Sequence, residues 1–138
     1  MKKTRIASLD YGVKRIGVAI SDENKLIATA LGVVLTGKTT AETIQRLNDL
    51  FKPYALERII IGNPLHLNGK VGFLADEVKH FVTLLQAHFT CEVSLIDERL
   101  STVQAERSLK EGGMRRKKRA QVIDTVTAVI LLQCHLGY

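Results

Sequence analysis

At 138 residues, 46% hydrophobic and 25% charged, the chain is long enough to bury a core without disulfides or a structural metal, and it reads as one domain over 1–138. It has no low-complexity tract, linker or repeat that would argue for disorder, and no apolar run nears the roughly 18 residues of a membrane span. The net charge of +6 is concentrated: of 20 Lys and Arg against 14 Asp and Glu, five form Arg115-Arg116-Lys117-Lys118-Arg119, and the remainder is nearly balanced.

The first ten residues begin like a secretory signal, with lysines before apolar residues. Asp10 cuts the apolar part short, so the expected location is the cytoplasm. Residues 4–10 read as a strand. After the turn Tyr11-Gly12-Val13-Lys14, residues 15–21 alternate Ile16, Val18 and Ile20 with Gly17, Ala19 and Ser21, the pattern of a second, hairpin-connected strand. Its small face lets a helix or the chain itself approach closely. A third strand fits 26–35.

Thr39 or Thr40 can cap a helix whose apolar positions Ile44, Leu47, Leu50 and Phe51 recur at helical spacing, and which must end before Pro53. Residues 58–62 read as a central strand buried on both faces. A loop over 63–69 precedes a helix over 73–88 with the stripe Phe73, Leu74, Val78, Phe81, Val82 and Leu85. Residues 91–96 form a fifth strand. Ser101 and Gln104 make a capping box for a helix closed by Gly112-Gly113. The last helix runs from about Ala120 to Leu136, which leaves the basic pentapeptide in a loop before it. This order predicts an α/β fold, a five-stranded mixed sheet with an antiparallel hairpin part, a parallel part and helices on both faces.

Cys91 and Cys134 lack any ligand spacing and read as small buried hydrophobes, and the four histidines are scattered. The carboxylates are more informative. Asp10 closes the apolar run RIASLD, Asp97-Glu98 closes EVSLIDE, and Asp124 sits inside QVIDTVTAVILL. Acids seldom enter apolar surroundings without a partner. If two of these runs are strands of one sheet and the third packs across their ends, the acids converge on a cation site suited to Mg²⁺ or Mn²⁺, which prefer hard oxygen ligands. A basic segment beside such a pocket suits a polyphosphate substrate. Taken singly, Asp10 is ordinary turn chemistry and Asp124 a charge favourable to its helix dipole. Local sequence does not choose between Asp97 and Glu98.

Four segments, LDYGVKRIGVAISD, GNPLHLNG, DERLSTVQAE and RRKKRAQVIDTVTAVILLQ, in this order over nearly the whole chain, resemble the YqgF (RuvX) family of RNase H-like nucleases. The resemblance implies an RNase H-like fold and a divalent-metal phosphodiesterase. Members are described as Holliday junction resolvases and as nucleases maturing the 5′ end of precursor 16S ribosomal RNA. Carried over by motif, it implies that Asp10, Glu98 and Asp124 are the catalytic and metal-binding acids, and so selects Glu98 over Asp97. Many relatives of the wider fold place an acid at the end of the fourth strand, where this chain has Gly62-Asn63-Pro64.

Phosphate contacts are expected first from Arg115, Arg116, Lys117, Lys118 and Arg119, then from Lys14 and Arg15 beside Asp10 and from Arg99 beside Glu98. Such contacts position a strand without reading its bases. With no Trp and 5% aromatic residues, stacking platforms are scarce, so selectivity should come from structure, ends or a ribosomal particle. Asn63, His66 and Asn68 offer hydrogen bonds along the same groove. The expected partner is therefore nucleic acid, either structured ribosomal RNA precursor or branched DNA, and no membrane. The protein would act as a monomer or, for symmetric cutting of a junction, as a homodimer. Two readings lie outside this class. DYGVKRIG also resembles the phosphate hairpin of actin-like ATPases and sugar kinases, but those clasp nucleotide between two such domains. A non-catalytic RNA-binding assembly factor would have no need of three acids facing a backbone they repel.

Overall fold

The computed structural model describes residues 3–12, 14–63, 72–97 and 116–137, with the backbone alone for 63, 72–76, 97 and 116–124. The elements are β1 (Arg5–Asp10), β2 (Arg15–Ser21), β3 (Ala28–Leu35), α1 (Thr40–Phe51), β4 (Leu56–Asn63), α2 (Gly72–His88), β5 (Glu92–Asp97) and α3 (Arg116–Leu136). The sheet order is β3-β2-β1-β4-β5. The pairs β3/β2 and β2/β1 are antiparallel, whereas β1/β4 and β4/β5 are parallel, which is the expected mixed sheet. The helix expected from Ser101 to Gly112-Gly113 lies outside the described residues, as does most of the loop after Asn63.

Strand alternation divides the core into two layers. On one face Ala7, Leu9, Ile16, Val18, Ile59, Ile61 and Val93 pack with Ile44, Leu47 and Phe51 of α1 and Val78, Phe81 and Leu85 of α2. On the other, Ile6, Ala19, Ala28 and Ile60 pack with Ala128, Leu131 and Leu132 of α3. Each fully buried aliphatic side chain stabilises the fold by about 1.5–3 kcal/mol relative to exposure. β4 is buried on both sides as expected, with Ile59, Ile60 and Ile61 all at 0% exposure. The alanines of the second layer make it thin, so α3 lies close enough for the Ser8 hydroxyl to donate to the Ala128 carbonyl at 2.6 Å.

The local signals account for most boundaries. Thr39 is the N-cap of α1, its side chain accepting from Glu42 N at 3.2 Å while Glu42 accepts from Lys38 N at 3.3 Å. β3 starts two residues later than expected. Asp22 Oδ1 accepts from Leu26 N (2.8 Å) and Ile27 N (3.1 Å), tying those residues into a turn. Gly32 sits at a register shift, where Val18 and Ala19 of β2 face Gly32 and Ala30 with one residue extra between them, a bulge that suits glycine.

Two expectations are corrected. α3 begins at Arg116, not near Ala120, so Arg116, Lys117, Lys118 and Arg119 form its first turn rather than a loop. The reason is composition: Lys and Arg are good helix formers, and no Gly or Pro occurs between Gly113 and Gly137. Cys134 is exposed and Cys91 only half-buried, so neither is a core residue, and both are free thiols.

Candidate functional site

β1, β3, β4 and β5 run in one direction and β2 in the other, so the carboxyl ends of four strands meet at one edge of the sheet. Asp10 is the last residue of β1, and Asn63 and Asp97, the last residues of β4 and β5, are register partners. Apolar strands thus deliver polar residues to one rim as soon as the core ends.

The face on which Asp10 stands follows from its neighbours. Ile6 belongs to the α3 layer and Ser8 bonds to α3, so alternation puts Asp10 on that side too. Its partner across β2 is Gly17, which adds no side chain beside the carboxylate. Asp10 is half-buried and has polar or ionic interactions of its own.

α3 runs antiparallel to β1. Near its carboxyl end His135 Nε2 lies 3.2 Å from Nη1 of Arg58, the register partner of Ile6, whereas Ala128 lies at the level of Ser8. One further turn of helix covers about 5.4 Å and two further strand residues about 6.6 Å. Position 124, one turn before Ala128, therefore reaches the level of Asp10, on the helical stripe it shares with 128 and 131. The side chain of Asp124 lies outside what the structure describes. Glu98 directly follows the end of β5 and lies outside the described residues. Among those residues no three His, Cys, Asp or Glu side chains gather into a metal-binding group.

Of the expected phosphate contacts, Lys14 is exposed and Arg15 half-buried at the start of β2, both at the rim. Thr36 N donates to Lys14 O at 3.1 Å and pins this hairpin turn to the end of β3. Arg15 has the same parity as Gly17 and hence the face of Asp10. Arg116, Lys117, Lys118 and Arg119 extend α3 beyond position 124. Arg99, Arg115, His66 and Asn68 lie outside the described residues.

Three residues near the rim escape sequence reasoning. Ser8 fixes the helix on the sheet, and a serine within RIASLD is its one signal. Tyr11, next in chain to Asp10, turns to the opposite face, where its ring meets Phe81 at 4.9 Å between centroids. Burial, and then the negative charge of Glu77, hold the Tyr11 hydroxyl above its ordinary pKa. Thr127, on α3, is 1% exposed. Nothing local marks it out from the apolar run around it.

A five-stranded mixed sheet with this strand order, helices on both faces and an acid at the end of the first strand is the RNase H-like architecture. RuvC of T. thermophilus, solved in complex with a Holliday junction substrate, superposes with a TM-score of 0.56 at 14% identity, covering 97% of this chain and 96% of that one. A second Thermus thermophilus RuvC structure gives 0.53 at 13% identity, with 97% of both chains covered. Residues 4–138 match the family model described as RuvX, Holliday junction resolvase, and the chain belongs to that family. Proteins named "Putative pre-16S rRNA nuclease" are similar along nearly their whole length. The one from Protochlamydia amoebophila is 48% identical, with 98% of this chain and 94% of the relative covered, and the one from Halothermothrix orenii is 47% identical, with 97% and 95% covered.

Proposed function

We propose that this chain is a divalent-metal-dependent nuclease that hydrolyses phosphodiester bonds in the 5′-end maturation of precursor 16S ribosomal RNA. The observation that carries the reading is the Ser8 to Ala128 hydrogen bond, which fixes α3 on β1 two strand residues from Asp10 and one helical turn from position 124 and so supports a shared site for the two acids. The names of the relatives point to the RNA substrate.

Asp10, Glu98 and Asp124 are the proposed ligands of Mg²⁺ or Mn²⁺. The donor set fits, since all three offer hard carboxylate oxygens, and among the described residues no thiol or imidazole competes at the end of β1. The resemblance carried by the DERLSTVQAE segment selects Glu98 over Asp97. A bound divalent ion supplies Lewis-acid activation of water and neutralises charge on the phosphate. The protein's own part is placement. Asp10 stands on a strand paired on both sides, so its carboxylate is held by the sheet, and its register partner Gly17 puts no side chain beside it. Arg15 and Lys14 at the rim and Arg116 to Arg119 in the first turn of α3 would clamp phosphates without reading bases, with Arg99 and Arg115 the further candidates.

The family description and the RuvC likeness favour a second reading, resolution of branched DNA by the same acids in a two-fold dimer. Parallel assays of precursor 16S RNA and a four-way DNA junction, with Mg²⁺, Mn²⁺ or EDTA, separate them. The expected result is metal-dependent cutting of the RNA that Asp10→Asn abolishes. Cutting of the junction alone would transfer the same site to DNA. Tight RNA binding without cleavage, unchanged in Asp10→Asn, would instead indicate a non-catalytic assembly factor.

A further inference from the structure

β3 is an edge strand of sequence ATALGVVL, without a charged side chain. Its carboxyl half leaves two large apolar side chains open, Val33 at 40% exposure and Leu35 at 64%. Among the described residues the other open large hydrophobics, Leu26 and Ile27, lie just before the opposite end of the strand. One exposed valine or leucine is ordinary, but two at strand spacing i and i+2 share a face.

Register places that face. Val33 pairs with Gly17, Gly17 pairs with Asp10, and Leu35 pairs with Arg15. Directly paired residues point to the same side of a sheet, so Val33 and Leu35 stand on the side of Asp10. Val34 between them is buried with Ile16 in the opposite layer, as alternation requires. Val33 is two strand spacings from Asp10, about 10 Å, and the intervening Gly17 adds no side chain. Cations surround Leu35. The exposed Lys14 precedes its register partner, the exposed Lys38 follows three residues on, and Arg46 Nη1 donates to the Leu35 carbonyl at 2.7 Å. Glu42, paired with Arg46 at 2.7 Å, offsets one of these charges.

An apolar face ringed by cations selects its occupant. A duplex keeps its bases stacked and gains little from Val33 and Leu35, whereas an unpaired strand brings base faces together with phosphates. A chain with no Trp and 5% aromatic residues has few rings for such bases. We propose that Val33 and Leu35, with Lys14, form a subsite for an unpaired nucleic-acid strand beside Asp10. Base faces lie on the two aliphatic side chains, and Lys14 neutralises a phosphate. This rests on the nucleic-acid reading given above and not on a bound metal.

The test is binding in EDTA, read by fluorescence anisotropy over a salt series. The probes are a short labelled RNA single strand and the same strand annealed to its complement. Combining Val33→Thr with Leu35→Thr keeps residues that favour a strand and removes the apolar face. This variant should bind the single strand about tenfold more weakly with an unchanged salt slope, because apolar contacts displace no counterions. Its duplex binding should stay at the wild-type level. Lys14→Gln should instead flatten the slope for the single strand by about 0.7, the contribution of one phosphate. Val33→Ile with Leu35→Met stays apolar and should keep wild-type affinity. Melting temperatures show which variants are folded, and Leu35→Gln alone replaces the threonine variant if that one is not. Wild-type affinity in a folded variant lacking the apolar face would overturn the subsite, as would an equal loss for the duplex. Loss of self-association in that variant, with RNA binding intact, would overturn it in favour of a contact between two copies. A wild type that binds neither strand nor duplex would overturn the nucleic-acid reading, and this subsite with it.

Discussion

The Ser8 hydroxyl donates to the Ala128 carbonyl across 2.6 Å, joining the first strand to the last helix over 120 residues of sequence. Both residues are at 0% exposure, and the contact is possible because neither side chain is larger than a hydroxymethyl group. Asp10 lies two strand residues beyond one end of this bond, and Asp124 one helical turn beyond the other.

Ser8 should therefore matter for activity more than for stability. Ser8→Ala loses one buried hydrogen bond, expected to cost about 1 kcal/mol in urea denaturation. Ser8→Val adds bulk where strand and helix touch, costs about 1–3 kcal/mol and moves α3 outward. Cleavage should fall more than tenfold in the valine variant at a temperature where it remains folded, and wild-type rates there would show that the register of α3 does not position the acids.

Removing any one proposed acid should separate chemistry from folding. Asp10→Asn, Glu98→Gln and Asp124→Asn are each expected to abolish cleavage while the metal-free melting temperature stays level or rises, because one of several crowded like charges is gone. Single-turnover assays beside thermal melts check this. Full activity in any variant removes that residue from the site.

The first turn of α3 makes an opposed pair of predictions. Cations at a helix amino terminus are unfavourable to its dipole, so replacing Arg116, Lys117, Lys118 and Arg119 by glutamine should not lower, and can raise, thermal stability. The same change should weaken nucleic-acid binding and flatten its dependence on salt by about 0.7–0.9 for each phosphate that is no longer neutralised. An unchanged slope would make this turn a solvated surface.

Glu77 and Tyr11 allow a test by titration. Glu77 Oε2 is buried with no hydrogen-bond partner, and burial followed by the Glu77 charge raises the Tyr11 pKa. A raised folded-state value means that the associated stability is fully present below the unfolded tyrosine pKa, about 10, and is lost as pH rises through the folded value. In Glu77→Gln, the slowest phenol to ionise, assigned with Tyr11→Phe, should titrate at lower pH yet stay above an ordinary tyrosine because burial remains. No movement would mean that Glu77 does not act on Tyr11.

The elements legible in the sequence are those governed by local chemistry. The bounds of β2 follow from Ile16, Val18 and Ile20 alternating with small residues, and those of α1 from the Thr39 cap and the Pro53 that follows. The start of β3 differs because the Asp22 carboxylate recruits Leu26 and Ile27 into a turn, and the start of α3 because a charge run suggests a loop although every residue in it favours helix. At the site, acids closing apolar runs are visible in the chain as chemistry out of place. How the last helix is set against the first strand is not visible there, since it depends on Ser8 meeting Ala128 across 120 residues of sequence.

The most direct measurement is anomalous diffraction from crystals of this protein equilibrated with Mn²⁺. The predicted result is manganese within bonding distance of both Asp10 and Asp124 at the carboxyl edge of the sheet, and its loss in Asp10→Asn. Manganese bound elsewhere, or Asp10 and Asp124 too far apart to share an ion, would contradict the metal site.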